Sequence, residues 1–163
     1  MSVFVTVGTT SFDALICTCM ETSFLKLLVT KGYEKLILQI GRGEYVPQRS
    51  PVEEIDVSFF RFKESLQDDM ARANLIISHG GAGSIMESLE LKKPLVVVIN
   101  DQLMHNHQME LAKQLQDDNH LLFTTCSHLL NTVEHMDVSS LKPYTRGNPR
   151  VFGDYLDSVM GFR

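Results

Sequence analysis

Hydrophobic positions along the chain switch repeatedly between two periods. Val3-Phe4-Val5-Thr6-Val7 is β-branched and aromatic and stops at Gly8-Thr9-Thr10, which reads as a buried strand followed by a turn. Phe12, Leu15, Ile16, Cys19 and Met20 then recur at the spacing of one helical face, resumed at Leu27 and Leu28. Thr22-Ser23 is a candidate break between two helices, and Gly32 ends the stretch. A second strand is predicted over 35–40. The polar stretch 41–56 holds Gly41, Gly43, Pro47 and Pro51 and predicts a long loop, a kind that is often functional. Strands over 57–61, 75–78, 95–99 and 121–123 then alternate with helices over 64–73, 84–91, 104–115 and 129–136. Near the end, Asn148 caps a helix that Pro149 opens, and Phe152, Tyr155, Leu156, Val159 and Met160 form one apolar stripe before Gly161.

Strands separated by helices, with near-continuous apolar strand cores, predict an α/β fold. The expected architecture is a Rossmann-like, doubly wound parallel sheet over 1–163, without a domain boundary. Composition narrows the class further. A chain of 163 residues, 44% of them hydrophobic, has enough core to fold without a disulfide or metal staple. A net charge of −5 argues against non-specific nucleic-acid or anionic-membrane binding. No apolar run approaches the roughly 20 residues of a membrane span. The start shows no basic segment followed by an apolar one, so no signal peptide is expected, and Ser2 excludes myristoylation. Cys17, Cys19 and Cys126 include no CxxC, which fits a reducing compartment, and the expected location is cytosolic.

In doubly wound sheets ligands sit beyond the carboxyl ends of the strands, so the residues after each strand carry the chemistry. Ser78 to Glu87 reads SHGGAGSIME, between a strand and a helix. Its three glycines let a ligand approach the backbone, and the helix end offers free N–H groups and a positive dipole. This is the physics of a diphosphate cradle. The stretch lacks the GK[ST] ending of a P-loop and, with Met86 in place, the third glycine of GxGxxG. Gly41 and Gly43 enter a polar loop and make no dinucleotide fingerprint. A bland reading also fits: Ser84 and Glu87 have capping-box spacing, worth about 1 kcal/mol without any ligand. His79 alone reads equally well as a packed loop histidine.

VFVTVGTT at the start, LILQIGRG from Leu36, SHGGAGSIMESLE from Ser78, KPLVVVIN from Lys93 and HNHQMELAKQL from His105 occur in this order. Together they resemble the small catalytic subunit of the eukaryotic UDP-N-acetylglucosamine transferase that makes the second sugar of the dolichol-linked oligosaccharide. The resemblance runs from the first strand to about Leu122 and more loosely beyond. It implies a GT-B glycosyltransferase split over two chains, with this chain as the nucleotide-sugar half and a membrane-anchored partner binding the lipid-linked acceptor. By resemblance, Glu87 accepts both ribose hydroxyls, Gly81, Gly83 and Ser84 hold the diphosphate, and His79 faces the phosphates. Asn106, His107 and Gln108 fall at the donor, where His107-Gln108 reads sugar hydroxyls. Thr9 and Thr10 meet the interdomain cleft or form an ordinary turn. Part of the apolar stripe of the helix over 149–163 is expected to pack on the chain's own sheet. The resemblance implies that this segment also docks the partner, through which the chain reaches the cytosolic face of the endoplasmic reticulum.

The implied reaction is an inverting displacement from UDP-N-acetylglucosamine that forms a β1,4 bond. No carboxylate here is a persuasive general base, and the resemblance leaves that base on the partner side of the cleft or unassigned. No cofactor or metal is expected. DxD is absent, and His105 and His107, two apart, diverge on a helix. Competing readings are a UDP-sugar-binding paralogue without catalysis and a bacterial-type polysaccharide transferase half with another donor. A nicotinamide-dependent oxidoreductase is disfavoured by the failed fingerprint.

Overall fold

A computed structural model of the chain describes residues 1–47, 50–99 and 106–143. The strands are β1 (Ser2–Thr6), β2 (Lys35–Gln39), β3 (Ser50–Val52), β4 (Ile55–Phe60), β5 (Leu75–His79), β6 (Leu95–Ile99) and β7 (Leu122–Thr125). They form one sheet in the order β3-β4-β2-β1-β5-β6-β7. Every neighbouring pair is parallel except β3 with β4. The helices are α1 (Asp13–Cys19), α2 (Thr22–Thr30), α3 (Gln67–Arg72), α4 (Ala82–Glu90), α5 (Asn106–Asp117) and α6 (Leu129–His135).

Strand alternation feeds two cores, one on each face. Val3, Val5 and Val7 pack with Leu15 and Ile16 of α1, Leu25 and Leu28 of α2, and Leu129 and Val133 of α6. Phe4, between them, packs on the opposite face with Met70 of α3, Ile85 and Leu89 of α4, and Ala112 and Leu115 of α5. β5 and β6 divide likewise, Ile77 and Val98 to one face, Ile76 and Val97 to the other. Period-two strands thus require helices on both sides, which is why the middles of β1, β2 and β5 are apolar and their polar residues lie at the strand ends.

Three local expectations are corrected. The stretch 41–56 is not all loop, since β3 pairs antiparallel with β4 and Val52 faces Ile55 across a two-residue turn. Glu53 and Glu54 make that turn at φ 51° and 70°, so the hairpin lacks the Asn-Gly signal that normally announces it. α3 begins at Gln67 rather than 64, because the Ser65 hydroxyl accepts from the Gln67 N–H at 3.2 Å and holds the preceding backbone in a turn. α4 begins at Ala82, two residues before the expected Ser84.

Candidate functional site

The topology reverses at β1. From it the chain winds outward through β2 and β4, then returns to β5 on the other side and continues through β6 and β7. The crevice for a ligand therefore opens between the carboxyl ends of β1 and β5. Gly8 follows the first strand and His79 ends the second.

On the β1 side, Gly8 takes φ +66°, a left-handed conformation that other residues resist. Thr10 closes the turn, its N–H and Oγ1 donating to the Val7 carbonyl at 3.4 and 3.0 Å. The Arg42 N–H donates to the Thr10 carbonyl at 3.0 Å, tying this turn to the loop after β2. Thr9 and Thr10 are exposed at the rim.

On the β5 side, the His79 imidazole lies between two glycines. A Cβ on Gly8 would stand 2.8 Å from its Cε1, and one on Gly81 would collide with its Nε2. Nδ1 is buried without a hydrogen-bond partner among the described residues. Burial lowers the pKa of this ring below its ordinary value, against a smaller opposing contribution from the Thr6 backbone. The ring is therefore neutral at physiological pH. Gly81, at φ −73° and ψ 126°, adopts a conformation open to any residue, so what it supplies is room for the ring.

Gly81 is also the residue before α4, and no side chain caps that helix. This corrects the capping-box expectation. Ser84 already lies inside the first turn, where its hydroxyl is not at the capping position, and Glu87 is a further turn along. The Ser84 carbonyl accepts from the Ser88 hydroxyl at 2.8 Å. A Cβ on Gly83 would meet nothing within 4 Å among the described residues, so this side of the first helical turn has room beside it. Glu87 is exposed, and Ser84 is half-buried. Among the described residues, the amino end of a nine-residue helix thus keeps its N–H groups without a side-chain cap and presents its dipole beside the His79 imidazole.

His79, Gly81, Gly83, Ser84 and Glu87 are brought together by one strand-turn-helix unit, with Thr9 and Thr10 across the crevice in the turn after β1. Asn106, His107 and Gln108 form the opening of α5, which follows β6, the neighbour of β5. Their backbone is described and their side chains are not. Phe152, Tyr155, Leu156, Val159 and Met160 lie outside the described residues, as does the expected helix over 149–163. Among the described residues, no cluster of three histidine, cysteine or acidic side chains is placed to hold a metal ion. Nor is any helix there long and apolar enough to cross a membrane.

Two structural residues of this edge were not singled out from the sequence. Gln39 and Arg61 sit at the carboxyl ends of β2 and β4 and bond to the loop backbone around the crevice. The signal for Gln39 was present as a lone polar residue at the end of the apolar run LIL. Asp13 was also missed. Its Oδ2 accepts from the Glu44 N–H at 3.2 Å, while Oδ1 is buried against Gly43 without a partner.

Residues 2–151 match the family model of the glycosyltransferase family 28 C-terminal domain. The chain is 54% identical over 124 residues to the human UDP-N-acetylglucosamine transferase subunit ALG13, covering 76% of this chain and 11% of that protein. The mouse relative is covered to a similar degree, so the chain spans about a tenth of the length of both. The Candida glabrata protein of the same name is 30% identical, with 98% of each chain covered. The ALG13 structure solved by NMR superposes with a TM-score of 0.71 at 25% identity, over 98% of this chain and 96% of that one. MurG of Acinetobacter baumannii shares the fold at a TM-score of 0.61 and 17% identity, over 86% of this chain and 42% of that one. The architecture is that of the C-terminal, Rossmann-like half of a GT-B glycosyltransferase.

Proposed function

The chain belongs to the family of UDP-N-acetylglucosamine transferase subunits built on the glycosyltransferase family 28 C-terminal domain, and from that premise we propose that it is the donor-binding, catalytic subunit of a two-chain transferase. In this reading it transfers N-acetylglucosamine from UDP to dolichyl-diphospho-N-acetylglucosamine, forming the β1,4 bond. One observation carries the proposal: a helix without a side-chain cap opens right after Gly81 at the topological switch point, with Gly83 in its first turn and Glu87 exposed one turn further on.

Each residue acquires a task. The N–H groups opening α4 take the diphosphate, which carries the charge that a capping side chain would otherwise satisfy. The Glu87 carboxylate accepts from the two ribose hydroxyls. Asn106, His107 and Gln108 approach the donor sugar, and Thr9 and Thr10 line the side that meets the other half of the enzyme. The acceptor hydroxyl attacks the anomeric carbon as the bond to the diphosphate oxygen breaks, inverting the centre. The helix dipole, Ser84 and neutral His79 stabilise the charge gathering on UDP, so a metal is not needed for that purpose. The base that takes the acceptor proton belongs to the partner's side of the cleft.

The partner is a membrane-anchored, acceptor-binding subunit. It brings this chain to the cytosolic face of the endoplasmic reticulum, and the segment 149–163 docks on it. The test is a reconstituted assay with that partner, UDP-N-acetylglucosamine and the lipid acceptor, together with UDP and NADH titrations of the chain. UDP binding without NADH binding, and a β-linked product only when both chains are present, is the expected result. Removing 149–163 is expected to abolish co-purification and turnover while sparing UDP binding. A chain that binds no UDP, or one whose complex with the partner transfers nothing, rejects the proposal.

A further inference from the structure

We infer that Gln39 is a positioning residue of the donor site, whose buried amide sets the Gly8 turn and, through that turn, the lie of the His79 imidazole. The inference rests on the donor-site reading above and goes beyond it to a residue that touches no substrate.

Gln39 is 1% exposed and ends a strand in which three apolar residues, Leu36 to Leu38, precede it. A buried amide is costly unless both of its ends are paired, and here both are. Its Oε1 accepts from the Thr6 hydroxyl at 2.5 Å, the Val7 N–H at 3.0 Å and the Gly8 N–H at 2.9 Å. Its Nε2 donates to the Gly8 carbonyl at 2.8 Å and the Arg61 carbonyl at 2.7 Å. The register of β1 against β2 is already held by their backbone ladder. What the amide adds is a grip on the backbone just past the strand ends.

The grip falls on the residue that has most conformational freedom. Gly8 has both its N–H and its carbonyl bound by one side chain while it holds φ +66°. The Thr6 hydroxyl reinforces this, accepting from the Gly8 N–H at 3.2 Å. The far side of Gly8 is the wall on which the His79 ring rests, closely enough that a methyl group there would overlap it. Any change in the Gly8 turn therefore moves the bed of the imidazole, with Gly81 as the opposite wall. Arg61 extends the network, donating from Nη1 to the carbonyls of Gly41 and Gly43 at 3.0 and 2.7 Å. The Arg42 N–H then holds the Thr10 carbonyl. The ends of β1, β2 and β4 form one hydrogen-bonded frame, and the side chain of Gln39 is its centre.

Gln39→Met keeps the volume and removes the hydrogen bonds without adding charge. Thr6→Val is a milder, nearly isosteric loosening of the same frame, and it serves if the first variant does not fold. In the full chain, thermal melting establishes the folded temperature range, within which UDP titration and NMR signals of the Gly8 amide and His79 ring are recorded. The expected result is UDP affinity about tenfold weaker for folded Gln39→Met, as loss of several backbone hydrogen bonds implies. Both NMR probes should shift, and Thr6→Val should show the same changes to a smaller degree. A folded variant with unmoved His79 signals and wild-type UDP affinity overturns the inference and leaves Gln39 as a stabilising residue only. Absence of UDP binding by the unsubstituted chain overturns the donor reading itself and is seen before any substitution is made.

Discussion

Two glycine turns face each other across the crevice, and they are finished in opposite ways. In the turn after β1, Gln39, Thr10 and Arg42 engage the polar backbone, and the glycine is there for its conformation. In the turn after β5, among the described residues, α4 starts without a side-chain cap, His79 Nδ1 has no partner, and Gly83 has room beside it. There the glycines supply room, since Gly81 is extended and Gly83 helical, conformations that any residue adopts. The difference separates scaffold from receptor. A turn saturated by its own protein is rigid without a ligand, whereas unmatched donors at a helix end gain most when an anion arrives.

Substitutions that exchange the two characters test this contrast. The largest effect belongs to Gly41→Ala, beside the closed turn, where φ is +60° and a Cβ would strike the Thr10 carbonyl. Strain and overlap with backbone together predict a loss of about 3 kcal/mol or more, measured by urea denaturation. Retained stability would show that the scaffold turn adapts after all. On the open side, Glu87→Ala should weaken UDP binding by about 1.5–3 kcal/mol, the worth of hydrogen bonds to a charged group. Its stability should change by less than about 0.5 kcal/mol, because Glu87 is exposed and caps nothing. Calorimetric titration and a thermal melt on one sample decide, and a shifted melt with intact affinity removes Glu87 from the site.

Gly83→Ala sharpens the comparison, because stability and binding should move in opposite directions. Alanine in a helix is more favourable than glycine by about 1 kcal/mol, and nothing obstructs the added methyl group. A more stable chain with poorer UDP affinity is expected; undiminished affinity would mean that the diphosphate lies elsewhere. The smallest effect is the pH response of His79. Its folded pKa lies below the ordinary 6.5, so the unfolded chain takes up the proton first. The stability due to the neutral ring is complete above about pH 6.5 and is lost as pH falls from there towards the folded pKa. Melting temperatures across that range should fall more steeply for the wild type than for His79→Asn.

The fold class, the helix pairing around Thr22-Ser23 and the strand-glycine-helix unit at 78–87 were legible because each is written in neighbouring residues. Apolar spacing reports which face is buried, and glycine reports where the backbone needs room or freedom. The β3–β4 hairpin escaped because two glutamates occupy positions at positive φ that normally require glycine or asparagine. The Ser84–Glu87 spacing suggested a cap, but the helix starts at Ala82, directly after Gly81 has made room for the His79 ring.

By itself, then, the sequence determined an α/β sheet with helices on both faces, and it marked the strand end that carries the cradle. Periodicity and composition are local quantities, and burial follows from them directly. Only the tertiary structure decided that β1 and β5 are neighbours, that Gly8 and Gly81 share one imidazole, and that Gln39 grips a turn 31 residues earlier in the chain. Those contacts depend on strand order, and the residues on either side of a crossover carry no trace of which distant backbone they will meet.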